Sequence, residues 1–231
     1  MPGLLMHLAE GEIISNQIND IKGRELFMLG CILPDVTCDK ELTHFRPKSQ
    51  KNLITKYPDM DYVLNKYKNK KLSPIDMGIL AHLHLDACYV KDFWSLFFNF
   101  EDKCGRNTCD IRNGLFVRVY SRNNEIVPLK TFFSNEYFYG EYDILNPIIY
   151  KKYNPFIPVS TDYDINDIHI EECRPLNKKA VDISLKKYLP AFCFDDESVV
   201  PISNAGLKIF SQNEIFSFLE ETALSFLSMC K

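Results

Sequence analysis

Five side chains in this sequence are of types suited to holding a divalent cation: His7, Asp35, His44, His82 and Asp86. His82 and Asp86 are four residues apart, so on a helix both project from one face. That face continues through Ile75, Ile79, Val90, Phe93 and Phe97, which turns it toward the interior. An unpartnered carboxylate there is too costly to keep ionised. A cation would supply the partner, and His with Asp is a common zinc ligand set. The same two residues also allow a plain hydrogen-bonded core pair, and spacing alone leaves both readings open. His7 poses the same choice on the first helical segment, where it shares a face with Gly11, Ile14 and Ile18.

The elements that must carry these residues are mostly helical. Apolar positions recur with a helical period from Leu4 to Ile18, and a second apolar segment runs from Glu25 to Leu33. Pro34 is expected to push Leu33 out of helical geometry, so that Asp35 emerges from a rigid bend. A third helix is predicted over Asp59–Tyr67. Ser73 as N-cap, Pro74 at the first helical position and Asp76 in the first turn open the longest helix, expected from Pro74 to about Phe100. Large apolar residues surround it, which predicts a buried central helix. Residues 104–114 break the pattern. Gly114–Tyr120 and Glu125–Phe133 then read as a β-hairpin about Ser121–Asn124. Further helices are expected over Asp143–Tyr150, 176–188 and 211–229. The fold class that follows is mainly α: one domain over 1–231, with a small β-hairpin insertion over 105–140.

Composition narrows the function classes. The chain has 231 residues, 46% hydrophobic and 25% charged, with a net charge of −4. This is the balance of a globular domain and not of a broadly basic nucleic-acid binder, so no stable nucleic-acid complex is expected. No apolar run approaches the roughly 20 residues of a membrane span, and no secretory signal is visible. A cytoplasmic location follows as the expectation, with the eight cysteines read as reduced thiols.

The segments MPGLLMHLAEG, FMLGCILPD, LTHFRP and GILAHLHLD, in that order, resemble the zinc-dependent phospholipase C family, including its short cytosolic bacterial members. The wider superfamily includes zinc-dependent single-strand nucleases. The stretch NEYFYGEYDILNPIIYKKY is similar to a Tyr-Asp segment of the short members. The resemblance implies a helical phospholipase C-like domain. It also implies that His7, Asp35, His44, His82 and Asp86 are metal ligands, with Asp35 and Asp86 contributing to catalysis. The sequence departs from the family at two places. The secreted enzymes begin with a zinc-binding Trp, whereas this chain starts Met-Pro and its only Trp is Trp94. The third-zinc ligands also lack counterparts, since His84 points away from His82 and His169 has Cys173 where a partner ligand would stand.

One or two Zn2+ ions, or other divalent metals, are therefore expected. Asp35, His44, His82 and Asp86 would hold one ion, and His7 with a bridging Asp86 a second, weaker one. Two four-coordinate ions would keep positions open for a hydroxide and a substrate oxygen, as hydrolysis requires. Arg46 is either a phosphate clamp or a surface arginine. Residues 46–71 carry eight basic side chains against two acidic ones, which suits weak contact with an anionic surface or a solvated face. The expected function is metal-dependent hydrolysis of a phosphodiester, with a small phosphoester or phospholipid-like substrate. The alternatives are a noncatalytic metal-stabilised binding or scaffold protein and a nuclease-like phosphodiesterase.

Overall fold

Ser73 accepts a hydrogen bond from the backbone N–H of Asp76, and the Asp76 carboxylate accepts one from the backbone N–H of Ser73. This reciprocal capping box satisfies donors that the first helical turn would otherwise leave orphaned. It starts the central helix of a mainly helical molecule with a small antiparallel sheet. The computed structural model describes residues 2–230 apart from 18–19, 37–38, 159–162, 176–177, 180 and 184–205. In chain order the helices are α1 (Leu4–Ser15), α2 (Ile21–Gly30), α3 (Leu33–Val36), α4 (Lys40–Thr43), α5 (Met60–Tyr67), α6 (Pro74–Cys88), α7 (Leu129–Phe132), α8 (Phe138–Tyr153) and α9 (Gln212–Met229). The helix expected over 176–188 and Cys38 fall largely or wholly outside the described residues.

As the sequence implies, α6 is buried on every side from Gly78 to Ala87. α2 crosses it at backbone contact: a Cβ on Gly78 would overlap the carbonyl oxygen of Phe27, and one on Gly30 would overlap that of Ile75. Glycine at both positions allows this approach, and it brings the end of α2 against the first turns of α6.

Three local expectations differ from the structure. The central helix stops at Cys88 and does not reach Phe100. It passes through a π-helical turn (Tyr89–Phe93) and a short 3-10 turn (Trp94–Leu96) into β1 (Phe98–Glu101). Phe98 and Phe100 pair with Val119 and Val117 of β2 (Phe116–Val119) and bury their rings. Long-range pairing thus overrides the helical reading of this aromatic run. The expected hairpin is present as β2 and β3 (Glu125–Pro128), with β1 as a third strand. Asn123 and Asn124 take left-handed conformations at the turn. β3 ends at Pro128, which pairs with Phe116 but has no N–H to donate and serves as the N-cap of α7, so Leu129–Phe132 is helical. Lastly, Leu33, Pro34 and Asp35 form one helical turn, not a bend. Proline is tolerated there because N–H groups of a first turn lack intrahelical partners anyway.

Candidate metal centre

Four elements bring the five side chains together. α1 supplies His7, α3 supplies Asp35, the end of α4 supplies His44, and α6 supplies His82 and Asp86. His7, His44, His82 and Asp86 are at most 1% exposed, and Asp35 is 8% exposed. His44 Nε2 lies 3.4 Å from Asp86 Oδ2 and 3.5 Å from Asp35 Oδ1, and His7 Nε2 lies 3.5 Å from Asp86 Oδ1. His82 Nε2 is 3.9 Å from Asp86 Oδ2 and 3.2 Å from His44 Nε2. The His7 and His82 rings stack with centroids 3.8 Å apart.

These spacings suit ligands of a common ion. Bonds of about 2.0–2.2 Å at tetrahedral angles place neighbouring N and O ligands about 3.4 Å apart. Both carboxylate oxygens of Asp86 and both ring nitrogens of His7 are buried without a hydrogen-bond partner, which is costly unless something charged joins them. Two groupings of ligand atoms can hold a metal: His7, Asp35 and His82, and His44, His82 and Asp86. They divide the residues differently from the sequence expectation, which sets Asp35 with His44 and His7 with Asp86. His7 nonetheless stays close to Asp86, with Nε2 3.5 Å from Oδ1, so Asp86 borders both groupings.

Hydrogen bonds around the centre assign the imidazole tautomers. The Thr43 hydroxyl donates to the Pro34 carbonyl at 3.0 Å, so its oxygen accepts from His44 Nδ1–H, also at 3.0 Å. His82 Nδ1–H donates to the Cys31 carbonyl at 2.8 Å, within reach because Gly30 and Gly78 let α2 approach. Both rings therefore direct Nε2 lone pairs inward, as metal-bound imidazoles do when an outer partner holds the other nitrogen. Two lone pairs 3.2 Å apart repel unless a cation lies between them.

The electrostatics agree. Burial, reinforced by neighbouring His82, holds His7 well below the usual imidazole range, and burial also lowers His82. Neutral imidazole is the ligating form. Burial pushes Asp86 up to about 6. Burial would raise Asp35 too, but its surroundings, with the Lys40 ammonium among them, hold it well below the usual carboxylate range. Lys40 Nζ reaches Asp35 Oδ1 at 2.9 Å.

Phe45, between His44 and Arg46, has φ of 48°. This is unusual for a large side chain and marks a backbone held by its surroundings. Arg46 pairs with Glu41 at 3.1 Å and is close enough to lower the Asp86 carboxyl. Elsewhere in the basic stretch, Lys66 and Lys70 pair with Glu172 and Glu171. His84 faces Cys88 and Ser225 on the other side of α6, and His169 binds Asp76 at 2.7 Å, so neither joins the centre.

Sequence reasoning missed Thr43, whose position beside His44 was the available signal. It also missed Glu10, one helical turn after His7. Its buried carboxyl is raised well above the usual range by burial and then by Asp86. The Cys31 carbonyl is a backbone group and leaves no signal in residue types. No helix among the described residues is long and apolar enough to cross a membrane, and the six described cysteines are free. The chain matches no family model, no curated protein and no solved structure.

Proposed function

We propose that this protein is a metal-dependent phosphoester hydrolase of the zinc phospholipase C kind, acting on phosphodiesters. The observation that carries the reading is the pair of inward Nε2 lone pairs of His44 and His82 beside the unpartnered oxygens of Asp86. Zn2+ bound there would supply Lewis acidity and lower the pKa of water to about 7. The chain's own groups supply the rest. His7, Asp35, His44, His82 and Asp86 would hold the ion or ions in a largely dry core. Asp35, the most open of the five, orients the attacking water at the solvent side. Arg46 offers its guanidinium to the non-reacting phosphate oxygens. In the reaction the oxygen of water bonds to phosphorus, the bond from phosphorus to the alcohol oxygen breaks, and a proton from water passes to that oxygen.

Metal analysis of the purified protein, joined to hydrolysis of bis(p-nitrophenyl) phosphate, tests this reading. Bound zinc with turnover is expected, and Asp86→Asn should lose both while His84→Ala keeps both. A noncatalytic centre that only braces the core draws on the near-complete burial of four of the five side chains. Metal without turnover on any of several phosphodiesters would favour it over the hydrolase.

A further inference from the structure

A cavity of about 420 Å³ lies along the continuation of the metal-binding face of α6, a size suited to a small-molecule site. Val90, one turn beyond Asp86, and Arg46, two residues beyond His44, both form part of its wall. The charged groups lining it are Arg46, Lys56 and Lys130, with no carboxylate among them. Glu41, largely exposed, pairs with Arg46 and, at 3.6 Å, with Lys56. A ligand anion can take its place at modest cost, since exposed ion pairs contribute little. The remaining wall is apolar and aromatic: Trp94, Phe133 and Tyr139, with ring centroids 5.9 Å apart for the first pair and 6.0 Å for the second. A cationic rim over an aromatic wall matches a ligand with an anionic group on an apolar body, and it disfavours a cationic headgroup.

We propose that this cavity binds the part of the substrate beyond the reacting phosphorus, and that this part carries its own negative charge beside an aromatic or acyl body. The inference rests on the hydrolase reading for what happens to the ligand but not for its binding. Two chromogenic phosphodiesters of equal size are compared, one ending in a carboxylate and one in a trimethylammonium group, alongside calorimetric binding of phenylphosphonate. The wild type should turn over the anionic ester at least about tenfold more efficiently, with the preference fading in 1 M salt as screening shortens the reach of the lysines. Lys56→Gln/Lys130→Gln should remove the preference through KM and weaken phenylphosphonate binding by a similar factor. Lys130 is exposed and Lys56 half-buried, and circular dichroism checks that the variant folds. Supplying the anionic ester as a free monomer and within phosphatidylcholine vesicles separates a soluble from a bilayer source, and the preference should appear in at least one form.

Turnover with equal efficiency on both esters, or an unchanged preference in the double variant, overturns the proposal. Phenylphosphonate binding that depends on the two lysines in a protein without turnover would uphold the cavity and remove the hydrolase reading.

Discussion

Thr43 is a small residue with a large assigned task. Its hydroxyl is committed as a donor to the Pro34 carbonyl, so its oxygen accepts from His44 and fixes which imidazole nitrogen points inward. Partners of this kind typically carry 10- to 100-fold of metal affinity. Thr43→Val preserves the shape and removes the acceptor. Zinc titration should show affinity weakened by about that factor, with circular dichroism unchanged. Unaltered affinity would mean that His44 is held by packing alone. His82 has no equivalent test by side-chain substitution, because its outer partner is the backbone of Cys31.

That backbone partner makes the α2–α6 crossing an element-scale part of the centre. Gly78→Ala forces the helices apart, since its Cβ meets the Phe27 carbonyl. Overpacking of this type costs about 3 kcal/mol. Urea denaturation should show a loss of that size, accompanied by weaker zinc binding as His82 leaves Cys31. A second junction lies on α8, where the buried Glu141 carboxylate accepts from the backbone N–H groups of Lys208, Ile209 and Phe210 and seats the approach to α9. Glu141→Ala orphans these donors and should cost on the order of 3 kcal/mol in the same measurement with no effect on bound metal. Elements governed by local chemistry were legible in the sequence. Ser73 and Asp76 announce α6, and Asp59 caps α5 at the start of the helix predicted there. The strand at Phe98–Glu101 was not legible, because nothing near it in sequence reveals Val117 and Val119 as partners. The i, i+4 pair His82–Asp86 declared a shared face, and the structure brings it to His7, Asp35 and His44. How ligands divide between ions depends on how four separate elements place them, which residue spacing does not encode.

At the scale of the whole molecule, a buried charged centre trades stability for binding. The Asp86 carboxyl titrates near 3.8 when unperturbed and near 6 when folded. As pH rises past the lower value, the unfolded chain gives up its proton first, so the metal-free protein loses stability until pH passes the upper one. The loss is on the order of 3 kcal/mol. Metal-free Asp86→Asn should therefore lack this part of the pH dependence between 4 and 6 and unfold at a higher temperature at pH 7. A wild-type profile identical to that of the variant would contradict the burial argument. The most direct test of the centre itself is X-ray absorption at the zinc edge of the reconstituted full-length protein. The account predicts nitrogen and oxygen neighbours at about 2.0–2.1 Å with the outer-shell pattern of imidazole, absent in Asp86→Asn. A nearest shell of sulfur at about 2.3 Å, or a protein that retains no zinc, would contradict it.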